Sequence, residues 1–317
     1  MEEDKAVEVR GWMRPASSGL EDIYSQVWAG AEPKGVIQIA HGMAEHVGRY
    51  EEFAHFLAGQ GYVVCMNEHA GHGVHAMTLG YFAEENGMDF VVSDMKSLMD
   101  EVVYDYPELP VFLMGHSMGS FLARKYITLY GVELTGCILS GTAGPNPALG
   151  VGKALAGLQK KIKGSKSEGK LLNRIAFGSY TKKIDNPVNS SAWLSTDDDV
   201  CIAYADDEFC GYNFTAAGFY DLFGLIGEVN EKDWAAKVPL ELPLYLFSGA
   251  QDPVGGFGKG VIEVYEKLKQ TGHEDLTIKL YPDGRHEMLN EVNREEVYKD
   301  VLDWLERLTP TESRTKN

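Results

Sequence analysis

Gly115-His116-Ser117-Met118-Gly119 stands directly between an apolar run, 110–114, and a helix-forming stretch, 120–130. A strand that reverses sharply into a helix leaves one side chain at the apex, in a strained backbone position with no space beside it. Gly115 and Gly119 are the small neighbours such a turn needs, which makes Ser117 the apical residue. The pentapeptide alone is weak in a chain with 35 glycines; its place between a buried strand and a helix is what reads as a nucleophile elbow. That reading commits the chain to strands feeding helices. Strands are predicted at 7–14, 23–28, 35–40, 63–67, 110–114, 135–140, 242–248 and 276–281, and helices at 49–58, 89–106, 120–130, 260–270 and 290–308. Such alternation implies an α/β fold: a mostly parallel central sheet flanked by helices, with the site at the carboxyl ends of the strands.

A serine hydroxyl is too weak a nucleophile to act unaided and needs an adjacent base held by a third group. In this strand–helix architecture the acid and the base follow the serine on loops after later strands. The apolar run 242–248 opens into Gly249-Ala250-Gln251-Asp252-Pro253-Val254, and 276–281 opens into Pro282-Asp283-Gly284-Arg285-His286-Glu287. Of nine histidines only His273 and His286 follow Asp252, and His273 precedes its strand, at the wrong end of the sheet. Asp283, three residues before His286, is the rival acid, but Pro-Asp-Gly reads as a turn. The expected catalytic set is therefore Ser117, Asp252 and His286. Backbone amides aimed at a developing oxyanion are expected from Met118, after the nucleophile, and Met43, in the loop after strand 35–40.

Four motifs in order carry a resemblance. His41-Gly42-Met43-Ala44-Glu45-His46 with Arg49-Tyr50 matches the pattern His-Gly-x-Gly-Glu-His with Arg-Tyr, and Glu68-His69-Ala70-Gly71-His72-Gly73 matches Asp-His-x-Gly-His-Gly. The elbow and Asp252-Pro253-Val254 complete the set. The chain resembles, over nearly its whole length, the monoacylglycerol lipase and lysophospholipase branch of the α/β-hydrolases, the serine aminopeptidase S33 type. The resemblance implies a serine carboxylic-ester hydrolase acting on monoacylglycerols, lysophospholipids or similar lipophilic esters, without a cofactor. Ala44 stands where relatives usually carry glycine, Glu68 where they carry aspartate, and Ala70 and Val74-His75 also depart. Alanine pays for a positive φ where glycine does not, so Ala44 is expected to bear on the oxyanion-loop backbone. His41, His69 and His72 are expected to brace loops through main-chain hydrogen bonds, and no cluster with ligand spacing predicts a metal.

The stretch from about 144 to 240 is too long for a connection between neighbouring strands. It predicts a cap, 144–240, inserted in a core made of 1–143 and 241–317. Within it, 148–162 and 171–177 have helical apolar spacing, 163–169 reads as a mobile link, and the aromatics around Trp193 and from Phe209 to Phe223 are shared between cap core and an acyl pocket over Ser117. The four cysteines, Cys65, Cys137, Cys201 and Cys210, are scattered and read as buried free thiols rather than a disulfide framework; Cys201 and Cys210 could pair only in a folded insertion.

A net charge of −18 argues against nucleic acid. The segment 149–183 departs from it, with nine cations against Glu168 alone, a local excess of eight that puts the rest of the chain at −26. A solvated helix face is the plainer account of those lysines. The alternative is a transient contact between the basic cap segment and a membrane or anionic headgroup. The acidic N-terminus lacks a signal peptide's pattern, so a cytoplasmic location is expected, and 309–317 reads as a disordered tail. The same machinery could serve a thioester or an aminoacyl peptide. A peptidase would need cap acids to hold a free amino terminus, for which Asp197-Asp198-Asp199 and Asp206-Asp207-Glu208 are the candidates. A noncatalytic ligand receptor fits poorly with an intact triad, and aspartate-nucleophile chemistry is disfavoured by the serine at the elbow.

Overall fold

The first two strands, β1 (Glu8–Pro15) and β2 (Asp22–Ala29), pair antiparallel and lead into a computed structural model that describes residues 7–310. The acidic N-terminal residues 1–6 and most of the expected tail, 311–317, lie outside the described residues. In chain order follow β3 (Gly35–Ala40), α1 (Glu51–Gly59), β4 (Tyr62–Asn67), α2 (Gly87–Asp105), β5 (Val111–His116), α3 (Met118–Tyr130) and β6 (Gly136–Ser140). Four helices come next, α4 (Ala148–Lys163), α5 (Lys170–Phe177), α6 (Asp198–Asp206) and α7 (Ala216–Glu228), and the chain ends with β7 (Leu244–Gly249), α8 (Lys259–Gln270), β8 (Leu276–Tyr281) and α9 (Arg294–Leu308).

One sheet runs in the order β1-β2-β4-β3-β5-β6-β7-β8, with the pairs from β4 to β8 parallel. β3, β4, β6 and β7 are buried at every residue, which is why they read as unbroken apolar runs: helices cover both faces. Side chains of period two sort themselves accordingly. Ile37, Ile39, Phe112 and Met114 pack on Phe53 and Leu57 of α1 and Val301, Trp304 and Leu305 of α9. Leu113, Leu139 and Leu246, facing the other way, pack with Met95 of α2, Leu122 and Tyr126 of α3 and Val264 of α8. β3 leads to β4 on one side and β5 lies on the other, so the crevice where the chain changes direction falls at the carboxyl ends of β3 and β5.

Two local expectations need correction. Segment 163–169 is not a loose link: Ser165 and Ser167 accept at their carbonyls from Ala217 and Ala216, Gly169 donates to Phe214, and Glu168 bridges Thr215, which ties the segment to the start of α7. The last helix begins at Arg294 rather than 290, because Met288–Asn290 forms a separate 3-10 turn. Glu291 between them is extended, its carboxylate accepting from the amides of Arg285 and Thr196. All four cysteines are buried free thiols. No helix among the described residues is long and apolar enough to cross a membrane.

Candidate active site

β5 delivers Ser117 to the turn before α3 with φ 53° and ψ −118°, a backbone region that a serine occupies only when its surroundings enforce it. The enforcement is steric on both sides. A Cβ on Gly115 would lie 2.1 Å from the Gly119 carbonyl oxygen, and one on Gly119 would lie 2.0 Å from that of Ala40. The Ser117 amide donates to the Ser140 carbonyl at 2.9 Å, so the turn is also pinned to β6.

β7 and β8 bring the other two groups together. His286 Nδ1 lies 2.9 Å from Asp252 Oδ2, which also accepts from Ser248 Oγ at 2.9 Å, while Asp252 Oδ1 accepts from the Val254 amide at 2.8 Å. Both residues are buried. An ionised carboxylate only accepts, so the imidazole proton sits on Nδ1 and Nε2 keeps its lone pair. Nε2 has no hydrogen-bond partner among the described residues, and His286 lines a cavity of about 360 Å³ that Ser117 also lines. Burial on its own would depress the imidazole, but the charge and hydrogen bond of Asp252 outweigh it and hold His286 above its ordinary value. The competing residues lie elsewhere. Asp283 is exposed, and His273 points Nδ1 at the Leu268 carbonyl at the end of α8, opposite the carboxyl ends of the strands.

Met43 and Met118 line the same cavity. Met118 is the first residue of α3, a position whose amide has no intrahelical acceptor. Around Met43 the loop is held by three neutral imidazoles, as bracing predicts. His41 Nε2 accepts from the His69 amide at 3.0 Å, His69 Nε2 faces the His41 carbonyl at 3.2 Å, and His72 Nε2 accepts from the Ala44 amide at 3.3 Å. Burial drives His41 down to about 3 and His69 and His72 well below their ordinary range, consistent with uncharged rings. Ala44 does adopt a positive φ, 53°.

The sequence reading quoted Glu45 and Arg49 without a role and missed Glu287. Glu45 accepts from the Gly42 amide, Tyr50 and Arg49, and Arg49 reaches on to grip both oxygens of Glu287 at 2.6 Å. Burial works to raise the Glu45 carboxyl, and the Arg49 charge, chief among the opposing influences, leaves it below its ordinary value. This ion pair across 238 residues, with Glu45 holding the Gly42 amide, fixes the loop around Met43 to the residue after His286. His116 packs against His286, ring centroids 4.8 Å apart and planes tilted by 47°, and is pushed to about 4, first by burial and then by that neighbour. Spacing also did not foretell that His46 Nε2 meets Asp207 at 2.8 Å with Cys210 close by. His46 Nδ1 accepts from Gly48, which places the ring proton on Nε2, toward Asp207. That contact joins the loop after β3 to the segment between β6 and β7.

The rest of the cavity wall comes from the segment between β6 and β7. Phe177, Trp193, Leu194 and Leu222 give it an apolar side, while Asn173, Arg174, Thr181, Ser190 and Ser191 give it a polar one. Phe214 and Phe219, by contrast, are packing residues. The acids considered for an amino terminus do not line it: Asp197 caps α6 and Asp207 holds the Phe209 amide and His46.

Residues 31–293 match the family model described as serine aminopeptidase, S33. The chain is 29% identical over 296 residues to a monoacylglycerol lipase of Mycolicibacterium smegmatis, covering 90% of this chain and 93% of that one. It is 28% identical over 284 residues to the human monoglyceride lipase, covering 88% and 84%. Among solved structures it superposes on a thermostable carboxyl esterase from Bacillus coagulans with a TM-score of 0.89 at 30% identity, over 95% of this chain and 99% of that one. The fold, the elbow geometry and these likenesses lead to one conclusion: the chain belongs to the serine aminopeptidase S33 family of α/β-hydrolases and is a hydrolase.

Proposed function

We propose that the protein hydrolyses carboxylic esters of single-chain lipids, monoacylglycerols or lysophospholipids, through an acyl-enzyme on Ser117. The observation that carries this reading is the His286 imidazole, its proton held on Nδ1 by Asp252 and its free Nε2 in the cavity that Ser117 lines. His286 Nε2 takes the Ser117 hydroxyl proton as Oγ attacks the ester carbonyl, and the amides of Met43 and Met118 receive the negative oxygen. Collapse of the tetrahedral species breaks the ester C–O bond, and His286 returns its proton to the departing alcohol. A water molecule, deprotonated by the same Nε2, then releases the fatty acid and restores Ser117. A cavity of about 360 Å³, near the lower end of the roughly 300–1,000 Å³ usual for small-molecule sites, suits one acyl chain better than three. Similarity to lipases and an esterase supports the same substrate class.

In this reading residues 144–240 act as the cap over the site and as the part that meets the lipid surface. Val151, Leu155, Leu158 and Ile162 fall at spacings of four, three and four on α4, and all are exposed. They form a single unpartnered stripe, while Gly152 and Ala156 face inward. Leu171 and Ile175 on α5 are exposed too, as are Lys161, Lys163 and Lys170 near them in the chain. An exposed apolar stripe with cations near it in the chain suits a bilayer surface carrying anionic headgroups.

The test is fatty-acid release from matched monoacylglycerol and lysophosphatidylcholine series, with Ser117→Ala as the blank and a short thioester alongside. Release from either lipid series that vanishes in Ser117→Ala is the expected result. Cleavage of the thioester or an aminoacyl amide, with neither lipid series turned over, would overturn the substrate assignment.

A further inference from the structure

The Ala44 peptide is held from the cap side. Alanine rarely adopts φ 53°, and nothing in its own chemistry favours that turn. Its amide is satisfied by His72, and its carbonyl accepts two donors from the segment between β6 and β7: Tyr204 Oη at 3.0 Å and the Gly211 amide at 2.9 Å. Tyr204 is itself buried, with its ring face 4.8 Å from the Arg49 guanidinium that joins Glu45 to Glu287. One residue before Ala44 is Met43.

We propose that Tyr204 is a positioning residue for the reaction: its hydroxyl holds the Ala44 carbonyl, keeps the loop in its left-handed turn, and thereby aims the Met43 amide at the oxyanion. This rests on the reading that Met43 is an oxyanion donor. The device compensates for the alanine. With glycine at position 44 the turn costs nothing and needs no clamp; with alanine the loop tends to relax to negative φ, turning Met43, and with it the amide of the Gly42–Met43 peptide, away from the site. Two donors from the cap on a single carbonyl oxygen oppose that rotation.

Tyr204→Phe removes the hydroxyl and keeps the ring over Arg49. With a short activated ester in solution, kcat should fall about tenfold, below the hundred- to thousandfold cost of losing an oxyanion donor outright, because the Gly211 amide still holds. KM should stay within about twofold, since this donor acts mainly on the charge that develops after binding. Introducing Ala44→Gly into that background should restore most of kcat, a rescue that a purely structural role for Tyr204 would not produce. Unchanged kcat in Tyr204→Phe, or a loss that Ala44→Gly leaves in place, would overturn the proposal. Ser117→Ala in the same assay separates the two levels. If the activity depends on Ser117 and the clamp variants behave like wild type, only the clamp fails; if the activity survives Ser117→Ala, the proposed mechanism itself fails.

Discussion

Asp252→Asn is the sharpest single perturbation of the site, because its neighbours dictate how the amide must sit. The Val254 amide donates to Oδ1 at 2.8 Å and cannot accept, so the asparagine oxygen has to face it. The amide nitrogen then occupies the place of Oδ2, 2.9 Å from His286 Nδ1 and from Ser248 Oγ. Ser248 can turn its hydroxyl to accept; His286 can accept on Nδ1 only by moving its proton to Nε2. That proton then blocks the atom that must take one from Ser117. The expected cost is about four powers of ten in kcat, or ~5 kcal/mol of transition-state stabilisation, with the oxyanion donors sustaining a residual rate above water. The assay is hydrolysis of a short p-nitrophenyl ester across pH 5–9, with thermal melting to show that the fold persists. In the wild type, activity should fall as pH drops through the pKa of His286, which Asp252 holds above its ordinary value despite burial. Removing the carboxylate leaves burial opposed only by the lesser influence of Glu287 and Glu45, so the acidic limb of the residual activity should move to lower pH. Activity within tenfold of wild type with that limb unmoved would refute the reasoning and return the role to Asp283.

Two further outcomes are expected. Burial, aided by Glu45 and opposed by the Val47 amide, pushes the Glu68 carboxyl up to about 8 from an ordinary 4.5. The folded chain thus binds this proton more tightly than the unfolded one; stability is full below about pH 4.5 and is lost as pH rises toward 8. Glu68→Gln should remove that dependence and gain roughly 2 to 5 kcal/mol relative to wild type between pH 5 and 9, read by urea unfolding, whereas parallel curves would contradict it. Leu158→Glu combined with Ile162→Glu should lower cosedimentation with anionic vesicles at least tenfold, given ~1.5–3 kcal/mol for each apolar side chain buried, and leave soluble-ester hydrolysis unchanged. Equal vesicle binding would remove the lipid-surface role from α4.

Much of this molecule was legible because the informative constraints are local. The elbow needs two small residues at fixed offsets, and the buried strands are continuous apolar runs. Loops after parallel strands point to one end of the sheet, so order along the chain singled out Asp252 and His286 together. The positive φ at Ala44 was readable because one side chain stood against a pattern. Glu287 and Tyr204 were not legible, because their partners lie across the fold: Arg49 is 238 residues from Glu287, and Ala44 is 160 from Tyr204. Segment 163–169 misled for a related reason. Its Gly-Ser-Lys composition reads as loop, while its order comes from backbone hydrogen bonds to the start of α7, which composition does not encode.

The pairing of Arg49 with two carboxylates also bears on how the chain comes off the ribosome. Glu45 and Arg49 are four residues apart, so one carboxylate partner of the guanidinium is synthesised almost together with it. Glu287 arrives some 240 residues later, at about 5–20 residues per second. Throughout that interval the nascent chain lacks His286, and before residue 252 it lacks Asp252 as well, so the proposed triad on Ser117 cannot assemble. The proposed base and the carboxylate that closes onto Arg49 are adjacent residues, 286 and 287, so both arrive together, onto a cation already in place.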